Sequence, residues 1–292
     1  MLIAIALLAA AASVPQPQVL FAITNDSVAK DGLAIEPVAM VTKTPGPCAT
    51  CWTLTFARPP IEESEEKEAR KFAANYYRPG RTYRVLATGA EIGTAKVENE
   101  TSLGCVSLAA RVAVTPARTR SDWNRLTLLA IGSMHVPPRK AFDRNLTPAE
   151  ENALWSLGER EFRTRGVAAS LLKDMEGGAF LATDLNGDAR RDLIGSFEAR
   201  NPKTHNTHHL FLIALGNDAG GYHSEYVWYY RESNNENSVE TMRLVDSVDL
   251  DEDGTDEVVV SKSFYESHEY EILKRGRNGK WTIVYSGGGS GC

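Results

Sequence analysis

A short acidic loop that occurs twice constrains this chain more than any other feature. The first copy reads Asp184-Leu185-Asn186-Gly187-Asp188-Ala189-Arg190-Arg191-Asp192, and the second reads Asp249-Leu250-Asp251-Glu252-Asp253-Gly254-Thr255-Asp256-Glu257. Both place Asp first, Asp or Asn third, Asp fifth and an acid ninth, followed by an apolar residue. Alternate side chains converge when the backbone turns tightly, and carboxylates so crowded repel one another unless a cation sits between them. Hard oxygen donors select Ca2+. The expected ligands of the first copy are the side chains of Asp184, Asn186, Asp188 and Asp192 with the carbonyl of Arg190. Those of the second are Asp249, Asp251, Asp253 and Glu257 with the carbonyl of Thr255. The competing reading is a pair of metal-free, Asx-rich turns.

The spacing is not that of an EF-hand, which needs a bidentate Glu at its twelfth place; Gly195 and Val260 stand there. Nor does a helix follow, as it does in dockerin repeats. Leu193–Phe197 and Val258–Lys262 are apolar and β-branched runs that read as strands. With the lead-in Gly178–Thr183, the arrangement resembles the FG-GAP/VCBS-type calcium-loop repeats over about residues 177–265, extending toward residue 292. That resemblance implies β repeats whose loops hold Ca2+ and which serve adhesion or ligand binding, or accompany secreted enzymes. The first copy departs in one respect: Ala189 stands where the second has Gly254, a place that favours the backbone freedom of Gly.

A chain of 292 residues with 42% hydrophobic and 24% charged residues is an ordinary globular composition, long enough for two domains. The net charge of −6 and the absence of a basic stripe exclude a nucleic-acid partner. Residues 2–12 form an apolar run too short to span a bilayer and read as the core of a signal peptide ending near Ala12. Export to a secreted or periplasmic location follows, with no stable membrane span after cleavage. In that compartment Cys48, Cys51, Cys105 and Cys292 are expected to form two disulfides of undetermined connectivity. The flanks of Cys48-Ala49-Thr50-Cys51 do not supply the strand and helix of a thioredoxin-like motif.

The expected fold class is mainly β with a few helices. Residues 19–135 read as a β-rich domain, with strands near 19–23, 34–41, 52–56, 82–87, 92–97, 105–114 and 126–131 and one helix over 62–75. Residues 140–176 read as a helical connector. In it Thr147-Pro148-Ala149-Glu150 combines an N-cap Thr, Pro at the first helical position and Glu at the third. Residues 177–292 read as two calcium-loop repeats, each a loop, a strand, a turn and a strand. Two such units are too few to close a propeller, so other parts of the molecule must cover them. The tail Ser286–Cys292 is flexible by composition.

The expected function is an exported Ca2+-binding module for adhesion, structure or capture of a protein or glycan ligand. The rival is a secreted hydrolase or carbohydrate-active protein. It would use His205, His208 and His209 as zinc ligands, Glu225 or Glu232 as a base and the aromatic strand Tyr226–Tyr230 as a sugar platform. The residues of that strand also suit ordinary sheet packing.

Overall fold

The computed structural model describes residues 17–26, 32–46, 52–61, 63–103, 106–116, 128–137, 146–204, 206–232 and 239–291. The apolar residues 2–12, His205 and all four cysteines lie outside the described residues.

The protein is mainly β, as its composition and alternating patterns require. Seven strands form the N-terminal sheet: β1 (Gln18–Asp26), β2 (Gly32–Pro45), β3 (Trp52–Ala57), β4 (Thr82–Ala87), β5 (Ala90–Leu103), β6 (Val106–Pro116) and β7 (Leu128–Ile131). They run in the order β1-β7-β4-β5-β6-β2, and β1 also pairs with β2. Six antiparallel strands therefore close into a barrel, which leaves no open edge there, and β3 hangs on β2. The odd residues Val19, Phe21 and Ile23 point inward with Tyr83, Val85 and Val97. Helix α1 (Glu66–Tyr76) stoppers the interior through Phe72 and Ala73.

Two small sheets follow. The first holds β8 (Glu176–Gly177), β9 (Leu181–Thr183), β10 (Asp192–Arg200), β11 (Thr207–Gly216) and β12 (Tyr222–Arg231). In it β12, β11 and β10 are adjacent, and β8 and β9 both pair with β10. The second is a meander of β13 (Thr241–Val248), β14 (Glu257–Ser263), β15 (Ser267–Arg275) and β16 (Trp281–Gly291). Each acidic loop joins the lead-in strand, β9 or β13, to the next, β10 or β14.

These parts stack in four layers. Helix α2 (Pro148–Thr164) lies on the first small sheet, with Leu154, Leu157 and Phe162 against Leu193, Phe197 and Leu210. The other face of that sheet meets the second through Ile194, Phe211 and Ile213 against Leu244, Val260 and Leu273. The far face of the second sheet meets the barrel wall, where Leu20, Ala39 and Ile131 touch Val248, Tyr270 and Ile272. Strands β1 and β10 are therefore buried on both faces. This explains why Val19–Ile23 is a continuous apolar run rather than an alternating one. Burying each such Leu or Phe contributes roughly 1.5–3 kcal/mol.

The capping box of α2 is formed as its sequence predicts: Glu150 N donates to Thr147 Oγ1, and Thr147 N donates to Glu150 Oε2 at 2.7 Å. The helix is more than a connector, because it covers one side of the stack. The tail differs from its compositional reading. Residues 286–291 extend β16 and pair with β15, and Gly288 and Gly289 are buried. Gly288 has φ +65°, and a Cβ there would lie 2.7 Å from the Pro37 carbonyl, so only glycine lets this strand approach the barrel.

Candidate metal loops

Both loops are built on the same hydrogen-bond skeleton. In the first, Asp184 Oδ1 accepts from Gly187 N and Asp188 N, and Oδ2 accepts from Ala189 N at 2.9 Å. In the second, Asp249 accepts from Asp253 N and Gly254 N, each at 3.1 Å. The ninth-place acid closes the loop in each case: Leu185 N donates to Asp192 Oδ2 at 2.9 Å, and Leu250 N donates to Glu257 Oε2 at 2.8 Å. The fifth-place Asp accepts from the seventh-place amide in both, Arg190 N at 2.8 Å and Thr255 N at 2.9 Å.

The backbone turns left-handed at the fourth and sixth places of both loops. Gly187 (φ +75°) and Ala189 (φ +66°) occupy them in the first loop, and Glu252 (φ +62°) and Gly254 (φ +90°) in the second. Each loop thus has glycine at one of the two places and a strained L-residue at the other. The loops also touch, with Asp256 N donating to the Leu185 carbonyl at 2.7 Å. A Cβ on Gly187 would meet the Gly254 carbonyl at 2.9 Å, so glycine is needed there for closeness as well as for φ.

Their surroundings differ. Asp188 and Arg190 of the first loop are exposed, and the Arg190 guanidinium pairs with Asp188 and Asp218. Asp192 is fully buried and accepts a second amide, Gly216 N, at 2.9 Å. Burial pushes its carboxyl up to about 7, aided by the charges of Asp188 and Asp184 and opposed by the two amides. A cation among these oxygens would relieve that repulsion. The donor set of Asp184, Asn186, Asp188, Asp192 and the Arg190 carbonyl is chemically suited to Ca2+.

The second loop leans on the barrel. Trp52 N donates to the Asp251 carbonyl at 3.0 Å, and Glu252 pairs with Lys43 at 3.0 Å and His135 at 3.1 Å. Here Asp249, Asp251 and Glu257 bring carboxylate oxygens within 4.8 Å of one another, the one such acidic convergence among the described residues. Two of these acids, with Asp253, hold a lysine from β15. Lys274 Nζ lies 2.6 Å from Asp251 Oδ2, 2.7 Å from Glu257 Oε1 and 3.0 Å from Asp253 Oδ2. Burial opposes the lysine's charge, but the three acids outweigh it and raise its pKa. The donor types of the second loop suit a metal, and the Lys274 ammonium pairs with three of its acids.

Sequence reasoning missed Lys274, because nothing local to it marks it as part of the loop. The register could have found it. Glu257 precedes Val258, which pairs with Leu273, and Lys274 is the next residue.

Among the described residues, those of the rival enzyme reading fall into separate pairs. His208 and His209 are adjacent in β11 and project to opposite faces. His208 Nδ1 meets the Tyr229 hydroxyl at 2.8 Å, and His209 Nε2 meets Glu232 at 2.8 Å. Glu225 holds Arg275 through two bonds of 2.8 and 2.9 Å. Trp228 and Tyr230 stack at 6.2 Å, while Tyr229 sits edge-on to Phe162 of α2. A cavity of about 90 Å³ beside His209, lined by Ser196, Glu198, Met242 and Arg243, is the size of a few water molecules.

No protein-family model, curated protein or solved structure matches this chain. Among the described residues no helix is long and apolar enough to cross a membrane.

Proposed function

We propose that this is an exported, Ca2+-binding β-repeat protein that works as a binding, adhesion or structural module for a protein or glycan ligand. The reading rests on the loop skeleton shared by the two small sheets. In both loops an Asp at the first place gathers the amides of the turn and an acid at the ninth locks it, which brings the oxygen-bearing residues of each copy into one short turn. Asp184, Asn186, Asp188, Asp192 and the Arg190 carbonyl hold the ion in the first loop. Asp249, Asp251, Asp253, Glu257 and the Thr255 carbonyl are the corresponding donors of the second, where Lys274 already pairs with three of the acids. Export rests on the leader-like residues 2–12, and extracellular Ca2+ near millimolar suits even a weak site.

The test is a thermal melt in EDTA, in millimolar Ca2+ and in millimolar Mg2+. Ca2+ alone should raise the midpoint, and Asp184→Ala should abolish the rise. An unchanged midpoint in Ca2+, together with no Ca2+ by elemental analysis, would defeat the proposal.

A further inference from the structure

The second loop carries its own cation. We infer that the Lys274 ammonium permanently replaces a divalent ion there, so that of the two loops the first is the one that binds Ca2+. The count of one ion rests on the reading above; the replacement in the second loop does not.

The geometry is that of an ammonium site. Its three contacts of 2.6, 2.7 and 3.0 Å fall on the third-, ninth- and fifth-place acids, three of the four side chains that would otherwise ligate metal. Charge-assisted N–H···O bonds have about these lengths. Glu257 is completely buried, so its ionised form is costly unless a positive charge lies beside it. Lys274 stands on a strand paired on both sides, opposite Thr282 of β16 and adjacent to β14, which fixes where its stem begins. A divalent ion would have to expel Nζ from three acidic partners before it could bind.

The first sheet shows what the alternative looks like. Leu193 pairs with Ala214 just as Val258 pairs with Leu273, so the residue equivalent to Lys274 is Leu215. Leu215 is buried in the apolar seam between the two sheets and offers no charge to Asp192. The residue in the strand facing the loop therefore separates a loop whose buried ninth-place acid meets no lysine from one that has the charge built in.

The experiment counts Ca2+ bound to the full chain by equilibrium dialysis in millimolar CaCl2 with elemental analysis. Wild type should hold one ion, lost in Asp184→Ala and unchanged in Asp251→Asn. Lys274→Met, which keeps the stem and removes the charge, should gain one ion, and adding Asp251→Asn should remove it again. Its melting midpoint should fall in EDTA and recover in Ca2+. Loss of an ion from wild type on Asp251→Asn would overturn the inference, as would a folded Lys274→Met chain that gains none. If Lys274→Met does not fold, the Asp251→Asn count on the otherwise native chain decides alone. Zero ions in wild type with one in Lys274→Met would defeat the first-loop reading and leave the replacement standing.

Discussion

The two acidic loops have one backbone and two different settings. The first stands at the surface, with Asp188 and Arg190 exposed. The second is wedged between its sheet and the barrel and holds Lys274 among its acids. What makes each a loop is the pair of acids at the first and ninth places, which bind backbone amides. What faces each loop is decided elsewhere, by the strand across the sheet: Lys274 at the second and Leu215 at the first. Spacing within a motif thus specifies a conformation, and the charge set against it is a tertiary property.

The largest expected effect contrasts the two ninth-place acids. Glu257→Ala removes the buried partner of Lys274 and orphans Leu250 N, and should cost about 3–5 kcal/mol in urea unfolding with EDTA present. Asp192→Ala orphans Leu185 N and Gly216 N, a loss of roughly 2–3 kcal/mol under the same conditions. An equal or larger loss at Asp192 would show that the lysine contributes little, and the contrast between the loops would collapse.

Next comes the backbone strain. Ala189→Gly should stabilise the protein by about 1 kcal/mol, because Ala189 is left-handed at +66° and exposed. Glu252→Gly relieves the same strain but removes the pair with Lys43, which is mostly shielded from solvent, so it should be nearly neutral. Chemical denaturation of the two variants side by side separates strain kept for docking from strain kept for nothing visible. If Glu252→Gly stabilised as much as Ala189→Gly, the docking contact would have no net value.

Much of this architecture could be read from residues in order. The mainly β class, most strands and the capping box of α2 follow from alternation, apolar runs and cap chemistry, all of which are local. Strand β13 was hidden because Asp246 interrupts Leu244–Val248; that acid is fully buried and accepts Thr88 N of the barrel at 2.9 Å. The glycine-rich tail looks flexible by composition, yet its lack of side chains is what lets β16 lie against the barrel. Closure of the barrel and the placing of Lys274 depend on which strands meet across long separations, and periodicity carries no information about that.

The smallest effect concerns the two seams that flank the second sheet, each of which holds a histidine against acid. At the barrel seam, His268 Nε2 lies 3.2 Å from Glu36, which also receives the Tyr270 hydroxyl. At the seam between the small sheets, His209 lies between Glu232 at 2.8 Å and Glu198 at 3.7 Å. Burial alone would lower both imidazoles, but the hydrogen bonds and charges of the glutamates outweigh it and hold both pKa values above the ordinary 6.5. A raised folded-state pKa means the stabilisation is complete below about 6.5 and is lost as pH rises through the folded value. His268→Gln and His209→Gln should each therefore cost more at pH 5.5 than at pH 8.5, by less than about 1 kcal/mol. His209, with two acids, should show the larger difference in urea midpoints. A pH-independent cost for His209→Gln would mean that its ring serves as packing alone, and the likeness of the two seams would be one of position without shared electrostatics.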